Sequence, residues 1–534
     1  MLRFPVTDAS IAPAPDRSDD PSPGSGPYRR LVLRDVTVVD GTGAPPYGPV
    51  DLVIEKDTLV AVVSRAKAMV RMTDTPDVWR SLGAGSAEAA DYRQVTSADR
   101  VMDLAGHYVL PGLVDAHAHL PSAAQAPGAQ YSYKLWLGHG VTTVRELGSL
   151  RNGYGLTRNE ARRSEDHTVV APRIVPYVYF GHGAPGVPGT EREARDWVRA
   201  VADQGAAGVK FFGGDPAAIR AALYEARLLD IGSACHHAQF AVAGMHALDS
   251  ARAGLRSVEH WYGLPEAMFA DRRFQHFPPG YNELDEVDRF TQAGHLWQQS
   301  APAGSARWEE TLDALLDAGT ALVPTFNVYD ATRDAARVRA AAWHQEYTVP
   351  ELAAYFAPDP SSHGSFFSDW GTEQEVAWRE TYRIWMRYVR DYHDRGGTVL
   401  AGSDSGFLYK VFGFGLIEEL ELLREAGLQP LEVIHAATLA PARHLGVDGF
   451  TGSVAPGKRA DLLVLEENPL ANLKVLYGNG ALRIGPDGVP HRAGGVRWTV
   501  RDGVVHDAGR LRADVRAMVR EGRERRSAAR STDG

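Results

Sequence analysis

Between Tyr108 and Gly406 the chain alternates eight times between short strand-like runs and longer connections, most of them helical in pattern. The runs are YVLPGLVDAHAHL (108–120), VTTVREL (141–147), RIVPYVYF (173–180), GVKFF (208–212), GSACHHA (232–238), SVEHW (257–261), ALVPTF (321–326) and TVLAGSDSG (398–406). Strands joined by helical crossovers run parallel, because each connection must return along the sheet before the next strand begins. Eight such units predict an α/β chain closed into a (β/α)8 barrel, here over residues 108–446. Two connections are too long for a plain crossover and read as insertions: 262–304 after the sixth strand and 327–395 after the seventh. The second is crowded with aromatics, from Tyr329 through Trp385 to Tyr392. Both leave the C-terminal ends of strands, so they are expected to shape or cover a site there, or to make a subunit contact.

The flanks read differently. Residues 30–107 carry strand pattern in LVLRDVTVVDG and VDLVIEKDTLVAVV, followed by an Ala- and charge-rich insertion at 66–98. Residues 447–510 return to strand pattern in GSVAPGKRADLLVLEENPL and VRWTVRDGVVHDAGRL. These late strands have no barrel position left, which predicts a small β-sandwich built from both chain ends. Residues 1–29, rich in Pro, Ser, Asp and Gly, cannot bury enough apolar surface to fold and read as a flexible tail. The Arg-rich residues 511–534 read as a C-terminal tail, solvated or a frayed helix.

Composition narrows the functions. A 44% hydrophobic and 23% charged chain is an ordinary globular protein, and a net charge of −10 argues against a nucleic-acid partner. The single cysteine, Cys235, excludes a disulfide framework and a cysteine-rich zinc site. No run reaches the roughly 18 apolar residues that span a membrane, so the expectation is a cytoplasmic protein, with a homo-oligomer possible.

Polar residues gather at the strand ends. His117 and His119 are two apart, so on a strand they share one face. The fourth run carries Lys210, the fifth His236 and His237, the sixth His260 and the eighth Asp404. A barrel brings all of these to one mouth. Imidazole and carboxylate ligands without thiolates suit Zn²⁺, with Mn²⁺, Co²⁺ or Fe²⁺ as alternatives. Only one of His236 and His237 can face inward.

The segments LPGLVDAHAHL, GVTTVRELGS, GVKFF, HHAQF, AGLRSVEH, AGSDSG, PLEVIHAATLAPARHLG and GSVAPGKRADLLVL, in this order, resemble the amidohydrolase superfamily, in its imidazolonepropionase-like and prolidase-like branch, from about residue 31 to 509. The resemblance implies the same barrel and terminal β-sandwich, and two divalent metal ions. It implies His117 and His119 on the more buried ion, a carboxylated Lys210 bridging both, and His237 and His260 on the second. His237 is preferred to His236 because the family's histidine is usually followed by Ala. Asp404 matches a metal-binding aspartate that shuttles the proton. His182, in YFGHGAPG, resembles a histidine close to the substrate and is a second catalytic candidate. Lys458 and Asp461, in PGKRADL, match a structural turn. The implied reaction is cleavage of a C–N bond in an amide, cyclic amide or dipeptide-like substrate by metal-activated hydroxide. The alternatives are an ester or phosphotriester substrate, a non-hydrolytic reaction, or a non-catalytic scaffold, which would be expected to have lost ligands.

Overall fold

A computed structural model of the protein describes residues 24–64, 96, 99–148, 152–357, 367 and 369–532. The proposed N-terminal tail and the insertion at 66–98 fall almost wholly outside the described residues. The first strands are β1 (Leu31–Val38), β2 (Tyr47–Glu55), β3 (Thr58–Ser64), β4 (Arg100–Asp103) and β5 (Tyr108–Pro111). The barrel follows as β6 (Leu113–Ala118), β7 (Val141–Glu146), β8 (Arg173–Tyr179), β9 (Gly208–Phe211), β10 (Gly232–His236), β11 (Ser257–Glu259) and β12 (Ala321–Val323). These seven pair in parallel, each with its chain neighbours.

The eighth staff of the barrel is residues 398–402. Leu322 N–H donates to Thr398 O and Leu400 N–H to Leu322 O, both at 2.9 Å, while Ala116 N–H donates to Ala401 O at 2.9 Å. The segment therefore bonds to β12 on one side and to β6 on the other, closing the ring. Gly402 makes the closure possible: a Cβ there would lie 2.6 Å from His117 Cβ.

The stretch 108–120 is two strands, not one. β5 belongs to the terminal sheet and β6 to the barrel, with the break at Gly112, whose N–H donates to Asp461 O at 2.8 Å. A side chain at residue 112 would sit 2.1 Å from Thr142 Oγ1. The boundary between the two parts thus falls at Gly112 rather than before Tyr108.

The remaining strands are β13 (Leu462–Leu465), β14 (Ala481–Ile484), β15 (Pro490–Ala493), β16 (Val496–Arg501) and β17 (Val504–Asp507). Both chain ends do meet, in one mixed sheet of order β17-β16-β13-β5-β1-β2-β3, with β4 also on β1. β14 and β15 form a separate hairpin. The sheet curls about one core that includes Leu33, Leu52, Val109, Leu462 and Val500.

The C-terminal segment forms a helix, Ala508–Thr532. Leu511, Val515 and Val519 recur every four residues and are buried, and Lys134 Nζ of the barrel helix Gln130–Gly138 pairs with Asp514 at 3.1 Å. One thin apolar stripe suffices to dock it.

Most aromatics of the second insertion are buried in the core of the chain. The helix Thr372–Asp394 buries Trp378, Tyr382, Trp385 and Tyr388. Trp261 packs edge-on against Trp378 with centroids 5.5 Å apart, and Trp378 Nε1 donates to Phe290 O at 3.1 Å. Phe290 lies in the helix Glu286–Ala293, so the packing binds the two insertions to each other. No helix among the described residues is long and apolar enough to cross a membrane.

Candidate metal centre

β6 is buried on both faces and ends in the polar pair His117 and His119. In-register neighbours on parallel strands point the same way, so pairing fixes which side chains face the barrel axis. Lys210 lies opposite Ala234, and His236 opposite Glu259. Glu259 in turn holds His117, so His236 shares the inner face and His237 does not.

His237, the residue preferred from the sequence, faces away from this group. Its Nε2 is 2.8 Å from Ser250 Oγ, and its ring packs beside Gly263. The His236 ring instead lies 4.5 Å from that of His260 and stacks on Phe212 at 5.0 Å. Alternation along a five-residue strand outweighs the identity of the residue that follows.

Three imidazoles converge on Asp404. His117 Nε2 is 3.7 Å and His119 Nε2 3.4 Å from Oδ1, and His260 Nε2 is 3.8 Å from Oδ2. Their other nitrogens all point outward. His117 Nδ1 is 2.7 Å from Glu259 Oε2, His119 Nδ1 is 2.9 Å from Gly148 O, and His260 Nδ1 is 2.6 Å from Thr325 Oγ1. A carbonyl and a carboxylate only accept, and the Thr325 hydroxyl spends its proton on Pro324 O at 2.6 Å. Each Nδ1 therefore carries the hydrogen, and each Nε2 presents a lone pair to the centre.

Electrostatics agree with neutral rings. Burial, with Lys210 nearby, pushes His119 down to about 3 and His117 and His260 well below the usual histidine value. Lys210 is buried, and burial pushes it down to about 8. Its Nζ makes no hydrogen bond among the described residues and lies 5.6 Å from the Phe212 ring centre. One donor atom each from His117, His260 and Asp404 falls within 4.8 Å of the others. Convergent imidazole lone pairs with a carboxylate fit a divalent ion.

The backbone bends sharply to place these groups. His260, Thr325 and Asp404, at the ends of the sixth, seventh and eighth staves, have φ of 63°, 52° and 46°. Non-glycine residues in this region are strained, and such strain gathers at functional sites. The surroundings are aromatic: Tyr179 stacks on Phe212 at 4.9 Å, and Phe407 meets the His119 ring at 6.2 Å.

His182 does not join the cluster. Its Nε2 accepts from Tyr154 N–H at 3.1 Å, at the start of the helix Gly153–Glu165, and its carbonyl accepts from Trp197 Nε1. Lys458 Nζ donates to Ser453 Oγ at 2.6 Å, and Asp461 pairs with Arg173 at 2.8 Å. Sequence reasoning missed Arg145, Glu259 and Thr325, which hold the histidines from behind. Glu259 sits next to His260 within SVEH, and that adjacency was the available signal.

The Amidohydrolase family model matches residues 385–483. Over 91 residues, 16% of this chain, the sequence is 40% identical to an adenine deaminase of Methanoculleus marisnigri, and the match spans 17% of that protein's length. Among solved structures, a Xaa-Pro dipeptidase with methionine bound in its active site is 18% identical, with a TM-score of 0.56, covering 90% of this chain and 100% of its own. Bottromycin amidohydrolase is 20% identical, with a TM-score of 0.58, covering 93% of this chain and 89% of its own.

Proposed function

From the match of residues 385–483 to the Amidohydrolase family model and the fold shared with a Xaa-Pro dipeptidase, we propose that this protein is a metal-dependent hydrolase of C–N bonds in small amides, cyclic amides or dipeptide-like compounds. The observation that carries the reading is the set of three neutral imidazoles whose Nε2 atoms converge on Asp404 beside a buried, unbonded Lys210 Nζ. In this reading His117, His119, Lys210, His236, His260 and Asp404 hold two divalent ions, zinc above manganese, cobalt or iron. When bound, such ions polarise a carbonyl and make water acidic enough to attack near neutral pH.

The chain's own groups do the rest. Lys210, with its pKa near 8, has a substantial neutral fraction at pH 7 to 8. Its Nζ adds to the carbon of CO2 and loses a proton, giving a carbamate whose two oxygens replace one nitrogen as donors. Asp404 takes the proton of the attacking water as the C–O bond forms. It then passes that proton to the leaving nitrogen as the C–N bond breaks. The aromatic wall of Tyr179, Phe212 and Phe407 favours a substrate with an apolar part.

The test is a hydrolysis screen of zinc- and manganese-loaded protein by mass spectrometry. Its panel holds dipeptides, N-acyl amino acids, lactams, a few esters and phosphotriesters, with Asp404→Asn as control. Turnover of an amide that vanishes in the variant supports the proposal. Turnover of an ester alone moves the chemistry to C–O bonds, and protein that binds no metal overturns the proposal.

A further inference from the structure

The three histidines differ in what holds them. His119 and His260 donate to neutral oxygens, Gly148 O and Thr325 Oγ1, whereas His117 donates to the carboxylate of Glu259. That carboxylate is fully buried at the barrel axis, and its other oxygen accepts from Arg145 at 2.7 Å and from Ser257 Oγ at 2.6 Å. Arg145 is fully buried too. It donates onward to Ala116 O at 2.5 Å and to Ser257 Oγ at 3.0 Å, and its guanidinium lies 5.4 Å from the Tyr177 ring centre.

Stability does not account for this pair. Burying two charges costs about as much as their attraction returns, and a well-packed apolar pair of similar volume is often the more stable choice. What the pair does supply is direction. One oxygen of Glu259 accepts from both the Arg145 guanidinium and the Ser257 hydroxyl, which leaves the other to accept from His117. A group that can only accept fixes the proton of His117 on Nδ1, and its negative charge makes Nε2 a stronger donor.

We infer that Glu259, locked by Arg145 and Ser257, is the positioning residue that makes His117 the tightest metal-holding histidine of the centre. The inference rests on the metal-dependent reading above. It predicts a difference between ligands that fold alone does not: loss of the Glu259 carboxylate from His117 weakens metal binding even where the barrel stays intact.

Two variants approach this from opposite sides, and neither strands a buried charge. Glu259→Asp keeps the anion opposite Arg145 but withdraws it from His117. The double variant Arg145→Met with Glu259→Gln removes both charges and leaves a neutral acceptor beside His117. Zinc affinity is read by competition with a chromophoric chelator, and folding by calorimetry of the metal-free proteins. Both variants are expected to hold the tightest zinc about 10–100-fold more weakly than wild type. Wild-type affinity in either folded variant overturns the inference and leaves the pair purely structural. A wild-type protein that takes up no zinc overturns the proposed function instead.

Discussion

His117, His119 and His260 are each bonded through Nδ1 and turn Nε2 toward Asp404, and that division gives the first tests. Asp404→Asn keeps the shape and removes the base, and turnover of whatever amide the screen finds is expected to fall by about 10²–10⁴-fold. Elemental analysis separates the two neighbours on β10. His236→Asn is expected to lose zinc from the loaded protein, because its ring lies against His260, whereas His237→Asn is expected to keep full zinc content, because its ring is spent on Ser250. The reverse result would restore His237 to the centre. Lys210, His260 and Asp404 were legible in the sequence because each sits near the end of an apolar run. The inward member of His236-His237 was not. Both faces of a barrel strand are buried, so Ala234 and Cys235 on opposite faces look equally apolar and give no parity. Arg145 and Glu259 were hidden for the same reason: charges at the axis of a barrel follow from packing in three dimensions, not from any local pattern.

The strand–helix order was the most legible level, since parallel strands leave few alternatives. What escaped was how the elements join. The two long insertions read as shaping or covering a site, or as a subunit contact, yet Trp378 ties them together through Phe290 O, and Trp261 and Phe326 of the barrel pack on Trp378 and Trp385. Aromatic content alone cannot tell a lid from a core, because both need apolar surface; only the partners decide. Trp385→Ala is therefore expected to lower unfolding free energy by about 3–5 kcal/mol in denaturant titration, with elution volume unchanged. A shift in oligomeric state at unchanged stability would return these aromatics to an interface role. Gly402→Ala is the corresponding test of barrel closure. The added methyl group meets both His117 and Val323, and a cost of about 1–3 kcal/mol together with weaker zinc binding is expected.

The whole molecule carries an unusual load of buried ionisable groups, which sets how stability varies with pH. Burial drives His139, His237 and His444 down to about 3 and raises Glu146 and Glu419 to about 8. Between pH 6.5 and 8 the histidines are neutral in both states. The unfolded chain releases glutamate protons that the fold retains, so stability falls as pH rises. Below 6.5 the unfolded histidines take up protons that the fold refuses, and stability falls as pH drops, each group contributing about 1.4 kcal/mol per pH unit. Down to about 4.5 the glutamates partly oppose this; below it they are protonated in both states and the loss steepens. Calorimetry of the metal-free protein from pH 4 to 9 is expected to give the highest melting temperature near 6.5. A melting temperature that climbs steadily from 6.5 to 8 would mean that Glu146 and Glu419 are ionised in the fold.

The pairing of β5 with β13 has a consequence for how the protein is made. Val109 lies opposite Val464, so the strand that leads directly into the barrel, paired early with β1, finds its second partner only after every barrel unit has left the ribosome. Until then β5, paired only with β1, exposes its other edge next to a nearly finished barrel, the kind of surface on which nascent chains stick to one another. The nascent chain depends on a segment made after the barrel for protection, and a translation pause just before Leu462 would be the costliest place to stop.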